Sequence, residues 1–464
     1  IDASYPIVWI ADDDRERIAP IVQAAAGGSR ILEFHEGLGT VGPKGEVLSG
    51  GDLSALLQEF ARADTVAPTL LLLWGIEASL RFPENQALLR MIGRKILERP
   101  GYDLTVLIGG EDPPLLEALR PWSVRLDLPP SSEGEVCRWI ASFAEAQSME
   151  IEGEVVEELV RSLAGFSRLE VERFLRLTYQ RGGTIAREDL PFLEGEKVAR
   201  IEEEGFLVRV ANPPDLSAIG GMRLLKTFLH RKAVLFRNIE EAVASGIVPP
   251  RGVLIAGMPG CGKSTVAQAV GPLFRLPLFR LDIEAFLDIA RSRPVERLFR
   301  IIEAAAPCVL WIDEIERLFL PPPVGERASC IARWFRFLSE PSVHRFVVAT
   351  VNAPWDLPAH GWDDRCFDEA FFIDLPHVEE RRKIFEIHLR KRGRLHPDLD
   401  LLSLAEATEG VSGAGIEALV TETIERAFLE GRQRIGTEDL HFTLAHCAAA
   451  RHMPAVDAEA FRKR

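Results

Sequence analysis

Gly257-Met-Pro-Gly-Cys-Gly-Lys-Ser264 follows an apolar run at residues 251–255 and precedes a stretch, 265–274, whose apolar residues recur with helical spacing. Strand, glycine-rich loop and helix in that order form a phosphate-binding loop. The glycines let backbone N–H groups curl around a triphosphate, and the helix N-terminus adds the positive end of its dipole. Lys263 supplies a charge for the outer phosphates and Ser264 a hydroxyl for Mg²⁺. Gly257, Pro259, Gly260, Cys261, Gly262, Lys263, Ser264 and Thr265 are therefore the expected nucleotide-binding residues.

Downstream, Cys308-Val-Leu-Trp-Ile-Asp313-Glu314 reads as an apolar strand that delivers two carboxylates at its C-terminal end, where ligands of open α/β sheets bind. Asp313 is the expected Mg²⁺ partner alongside Ser264, and Glu314 is placed to polarise an attacking water. A further apolar run, 346–351, ends at Asn352, whose amide either orients that water, contacts the γ-phosphate, or simply forms a turn.

The chain has 464 residues, enough for two or three domains. Its composition, 47% hydrophobic and 27% charged, is that of a globular protein. With 70 acidic against 55 basic residues the net charge is −15, which disfavours a nucleic-acid partner. Its apolar runs are shorter than the roughly 20 residues that cross a bilayer, so no membrane association is expected. Six cysteines without CxxC spacing argue against a zinc site and suit a reducing, cytoplasmic setting. The chain begins at Ile1, so its true N-terminus is open.

Together with Ile219-Gly220-Gly221, Pro249-Pro-Arg-Gly252 and Gly410-Val-Ser-Gly413-Ala414, these elements resemble the AAA (AAA+) branch of P-loop ATPases. In particular, phrases such as 278–282, 310–315 and 367–376 are similar to those of the cyanobacterial and plastid ATPases named after hypothetical chloroplast reading frame forty-six. The resemblance implies an α/β fold with a parallel sheet flanked by helices and a small helical lid, and ATP with Mg²⁺ as ligands. It implies that Ile219 and Gly220 border the adenine and that Gly413 and Ala414 bring the lid against the nucleotide. It also implies a homo-oligomeric ring, commonly a hexamer, with an arginine reaching into the neighbouring site. Here the chain departs from the pattern: Cys366 stands at that arginine's position, and Arg365, one residue away, either takes the role or is a surface arginine. Where threading relatives carry a pore aromatic, this chain has Phe286-Leu-Asp, with Phe286 either a pore or a core residue.

A degenerate copy precedes this module. Residues 69–77 (TLLLLWGIE) align with 308–316 (CVLWIDEIE), with Trp74 and Gly75 in place of the two carboxylates. Residues 124–129 align with 371–376, 165–171 with 410–416, and 186–190 with 436–440. At the phosphate-loop position stand Asp12-Asp13-Asp14, whose charges would repel phosphate and instead suit a helix cap. The expected organisation is a degenerate AAA-like module with its own helical segment at 1–198, a linker at 199–216, an ATPase subdomain at 217–376 and a lid at 377–464. The function expected is ATP hydrolysis, with Lys263, Glu314, Asn352 and Arg365 as catalytic residues, in a ring that remodels a protein client bound through the first module. The alternative is a slow ATP-dependent assembly switch or scaffold that threads nothing.

Overall fold

The computed structural model describes residues 5–10, 14–42, 47–110, 119–126, 128, 131–292, 295–357 and 366–446. Its contacts divide the chain into two compact units, residues 1–148 with 166–176, and 149–165 with 177–464.

The first unit holds a seven-stranded sheet of β1 (Ile7–Ile10), β2 (Arg30–His35), β3 (Gly39–Val41), β4 (Val47–Ser49), β5 (Val66–Trp74), β6 (Tyr102–Gly109) and β7 (Ser123–Leu126). These lie in the order β4-β3-β2-β5-β6-β1-β7, and only the β2–β3 and β3–β4 pairs are antiparallel. Leu70 to Leu73 on β5 are all buried, as a strand covered on both faces requires.

The second unit holds β8 (Leu207–Arg209), β9 (Gly252–Gly257), β10 (Leu278–Leu281), β11 (Cys308–Ile312), β12 (Arg345–Val351) and β13 (Glu369–Ile373). They lie in the order β13-β9-β12-β11-β10-β8, parallel except for β8. Every residue of β11 and β12 is buried. The helix Lys263–Phe274 packs Val266, Val270 and Phe274 onto this sheet. The helices Val378–Lys391, Leu401–Ala407, Gly413–Leu429 and Thr437–His446 close around their own core of Phe385, Leu389, Leu404, Ile416, Leu419 and Leu440.

Counting the parallel strands of each sheet from first to fifth along the chain, both sheets run fifth, first, fourth, third, second. The sequence repeat is therefore also a repeat of topology. It extends to the helical segments: Ser167 Oγ accepts from the Glu170 N–H as Ser412 Oγ does from Gly415. Likewise the Ala186 N–H donates to the Asp189 carboxylate at 3.1 Å as Gly436 does to Asp439 at 2.8 Å.

The division at 198 differs from the packing. Residues 149–165 and 177–203 belong with the second unit, where a Cβ on Gly165 would stand 3.1 Å from Ala304 Cα and buried Lys197 donates to the Ser162 and Ala306 carbonyls at 2.6 and 2.8 Å. The stretch 199–216, expected as a linker, carries the end of the helix Leu190–Glu203 and then β8, which pairs with β10.

At the C-terminal ends of the first unit's strands, the Trp74 ring lies over Gly109, where a Cβ would come within 2.2 Å of it. His35 stacks on the same indole with ring centres 6.3 Å apart. Asp12 and Asp13 lie outside the described residues; Asp14 accepts from the Arg17 N–H at 3.3 Å and caps the helix Arg15–Ala25. Substituting Gly109→Ala should destabilise the first unit by about 1–3 kcal/mol through overpacking against the indole. Chemical denaturation measures this, and an unchanged midpoint would mean the ring is not fixed there.

Candidate functional site

Strand β9 ends at Gly257, whose φ of 148° and whose approach to β13 leave no room for a side chain: a Cβ would lie 2.1 Å from the Ile373 carbonyl oxygen. Gly260 and Gly262, at φ of 74° and 87°, turn the loop into the helix Lys263–Phe274. Lys263 is buried at its base, and its Nζ donates to the Gly257 and Met258 carbonyls at 2.7 and 2.8 Å. Burial lowers the pKa of this ammonium, while Cys261, Glu316, Asp313 and Glu314 act in the opposite sense.

Beside the loop, Asp313 Oδ1 accepts from Ser264 Oγ at 3.0 Å and from Thr350 Oγ1 at 2.6 Å. The Thr350 hydroxyl in turn accepts from the Glu314 N–H at 3.0 Å. Glu314 has left-handed backbone, φ 53°, two residues after β11 ends at Ile312. Its Oε1 accepts from the Asn352 side-chain amide at 2.8 Å. Asn352 thus holds the carboxylate. Its own N–H donates to Glu316 Oε1 at 2.9 Å, and Glu316 is buried, which pushes its pKa up.

Thr350 and Glu316 were not legible as site residues. Thr350 sits in an apolar strand and Glu316 in a run of ordinary charged residues, so neither carries a local signal.

A cleft of about 350 Å³ opens on the other side of the loop, lined by Gly220, Met222, Asp374, Glu380, Ile384 and Gly413 among others. Gly221, at φ 72°, lies so close to Glu380 that a Cβ would meet Oε1 at 2.1 Å, and that carboxylate accepts from the Met222 N–H at 3.1 Å. The Ala414 N–H donates to the Gly260 carbonyl at 2.9 Å, tying the lid helix to the loop. Gly220 and Gly413 line this cleft, and Ala414 meets the phosphate loop beside it. Ile219 instead faces the core with Leu216 and Leu225, so it supports the cleft without lining it.

Three other positions singled out in the sequence can be compared with the structure. Arg365 lies outside the described residues. Cys366 is buried, with its thiol 3.6 Å from the Phe335 carbonyl, so that position offers nothing to a neighbour. Phe286 is fully buried against Phe206 and Trp334 and belongs to the core. Among the described residues no helix is long and apolar enough to cross a membrane, and no group of three or more His, Cys, Asp or Glu residues is placed to hold a metal.

Comparison with known proteins places these elements. The family described as "ATPase family associated with various cellular activities (AAA)" matches residues 253–375, and the "AAA+ lid domain" matches residues 398–442. The "SpoVK-like AAA ATPase, second domain" matches residues 134–204, a helical stretch shared between the two units. The "Uncharacterized AAA domain-containing protein ycf46" of Trieres chinensis is 28% identical over 457 residues, covering 96% of this chain and 90% of the relative. The protein of that name from Pyropia yezoensis is 32% identical over 327 residues, covering 69% and 66%. The "ATP-dependent zinc metalloprotease FtsH" of Thermus thermophilus is 29% identical over 274 residues, covering 56% of this chain and 43% of that protein.

Cys261 behaves unlike a helix-terminal thiolate. Burial pushes its pKa up to about 11, against the pull of Lys263. At pH 7.5 roughly one such thiol in 3,000 is ionised, so iodoacetamide should label exposed Cys137 well before Cys261, as mass spectrometry of the two peptides would register. Equal rates at the two positions would contradict the burial argument.

Proposed function

Because the chain belongs to the AAA ATPases, we propose that its second unit binds ATP and hydrolyses it to ADP and phosphate. The observation that carries this reading is the convergence of the Ser264 and Thr350 hydroxyls on Asp313, directly beside a Glu314 carboxylate held by Asn352.

The loop amides and Lys263 receive the phosphate chain, and the cleft lined by Gly220 and Met222 receives the base. Ser264 and Asp313 present the all-oxygen donor set that Mg²⁺ prefers, with the remaining positions left to phosphate and water oxygens. When bound there, Mg²⁺ neutralises phosphate charge. Glu314 aligns the attacking water and accepts its proton. The water oxygen bonds to the γ-phosphorus as the bond to the β–γ bridging oxygen breaks, and ADP departs with that electron pair.

The first unit supports no second nucleotide site: Trp74 occupies the strand ends there, and no lysine or glycine loop follows β1. Its surface is free to bind a protein partner, and the ring assembly general to the family would bring six such surfaces together. A slower ATP-dependent assembly switch is the second reading, favoured by the burial of Cys366 and Phe286, which withdraws both from a neighbouring subunit and from a central pore.

Full-length protein should bind one ATP per chain, and Lys263→Ala should abolish that binding, both by titration calorimetry. Glu314→Gln should keep ATP but lose turnover by about 100-fold or more. Two ATP per chain, or full turnover by Glu314→Gln, would overturn the proposal. Specific activity that rises with protein concentration is the outcome expected of ring assembly, and a constant value counts against it.

A further inference from the structure

Arg317 lies three residues beyond Glu314, in the 3-10 turn Ile315–Phe319 that leaves β11. That spacing sets the two side chains on one face of the turn. One guanidinium nitrogen, Nη2, pairs with Glu314 Oε2, while Nη1 stands 4.0 Å from Glu284 Oε1 at the start of the helix Ile283–Ser292. With Asn352 donating to Oε1, both oxygens of the Glu314 carboxylate are engaged by donors from this chain. The Arg317 side chain is 57% exposed and that of Glu284 83%, so either can leave without unpacking the core. Arg280, Asp282, Glu284, Asp313, Glu314 and Arg317 border one open cavity of about 370 Å³ at the ends of β10 and β11.

We propose that Arg317 is a positioning residue that restrains Glu314, and that Glu284 competes with Glu314 for its guanidinium. The inference rests on the hydrolytic reading above. A carboxylate donated to on both oxygens, once by a full charge, is a poor acceptor for a water proton. Glu314 acts once Arg317 swings toward Glu284, so the balance between the two carboxylates sets the fraction of sites competent for attack. Because Glu284 opens the helix Ile283–Ser292, a partner that engages this helix changes that balance without touching the nucleotide.

The restraint predicts effects of opposite sign in full-length protein. Arg317→Ala should raise kcat for ATP about three- to tenfold and leave KM within about twofold, since the phosphate loop is untouched. Glu284→Gln should lower kcat about two- to threefold by leaving Arg317 to Glu314 alone. The double variant should match Arg317→Ala, because Glu284 acts only through Arg317. Arg317→Lys should stay near wild type. A tenfold loss of kcat in Arg317→Ala would overturn the proposal in favour of an arginine acting on the phosphates, and independent effects of the two substitutions would reduce the pair to a surface ion pair. Turnover by wild type with no gain in Arg317→Ala overturns the restraint alone. ATP binding without turnover in both proteins overturns the hydrolytic reading and the restraint with it.

Discussion

The position of one carboxylate oxygen governs the second unit. Asp313 Oδ1 takes hydrogen bonds from Ser264 on the helix after β9 and from Thr350 at the end of β12. Three segments far apart in the chain must therefore reach the same point. That convergence depends on the parallel register of β9, β12 and β11, which sets their C-terminal ends side by side. A charge in this half-buried place is tolerated because its acceptor capacity is met by hydroxyls and left open toward the phosphate side. The loop glycines, the αL backbone at Glu314 and the buried Glu316 under Asn352 all serve to hold groups around it.

The first unit has the same strand order and meets the same geometric problem without a ligand. Strand ends splay apart where the chain leaves a parallel sheet, and the gap must be filled by a ligand, water or side chain. Trp74 fills it with an indole, and Gly109 yields the space. One scaffold thus supports a polar, open solution and an apolar, closed one, which separates fold from activity.

What could be read in the sequence follows from locality. The phosphate loop, the strand before Asp313 and the repeat of TLLLLWGIE on CVLWIDEIE are each contiguous, and each lies where its pattern places it. The glycines at 257, 260 and 262 take backbone angles that strongly favour glycine, and so stand out in the sequence. Thr350, Glu316 and Arg317 carry no such mark: their meaning comes from neighbours brought in by the sheet. Likewise the boundary at 198 missed that residues 149–165 pack on the second unit, since Gly165 against Ala304 and Lys197 on Ala306 are contacts between distant stretches. The resemblance implies that Ile219 borders the adenine with Gly220, yet the Ile219 side chain faces the core. A place beside a helix N-terminus does not by itself make Cys261 a thiolate, because burial raises its pKa against the pull of Lys263.

The pairing of Trp74 with Gly109 also limits what single substitutions can do in this unit. Restoring a metal-binding carboxylate at position 74 would leave an apolar hollow over Gly109, while refilling position 109 first would collide with the indole. Either change alone costs packing, and neither helps until a glycine-rich loop and a lysine follow β1 as well. Nucleotide binding in this unit would therefore need several concerted substitutions. The plug thus commits the interior of this unit to apolar packing and places no such demand on its outer surface.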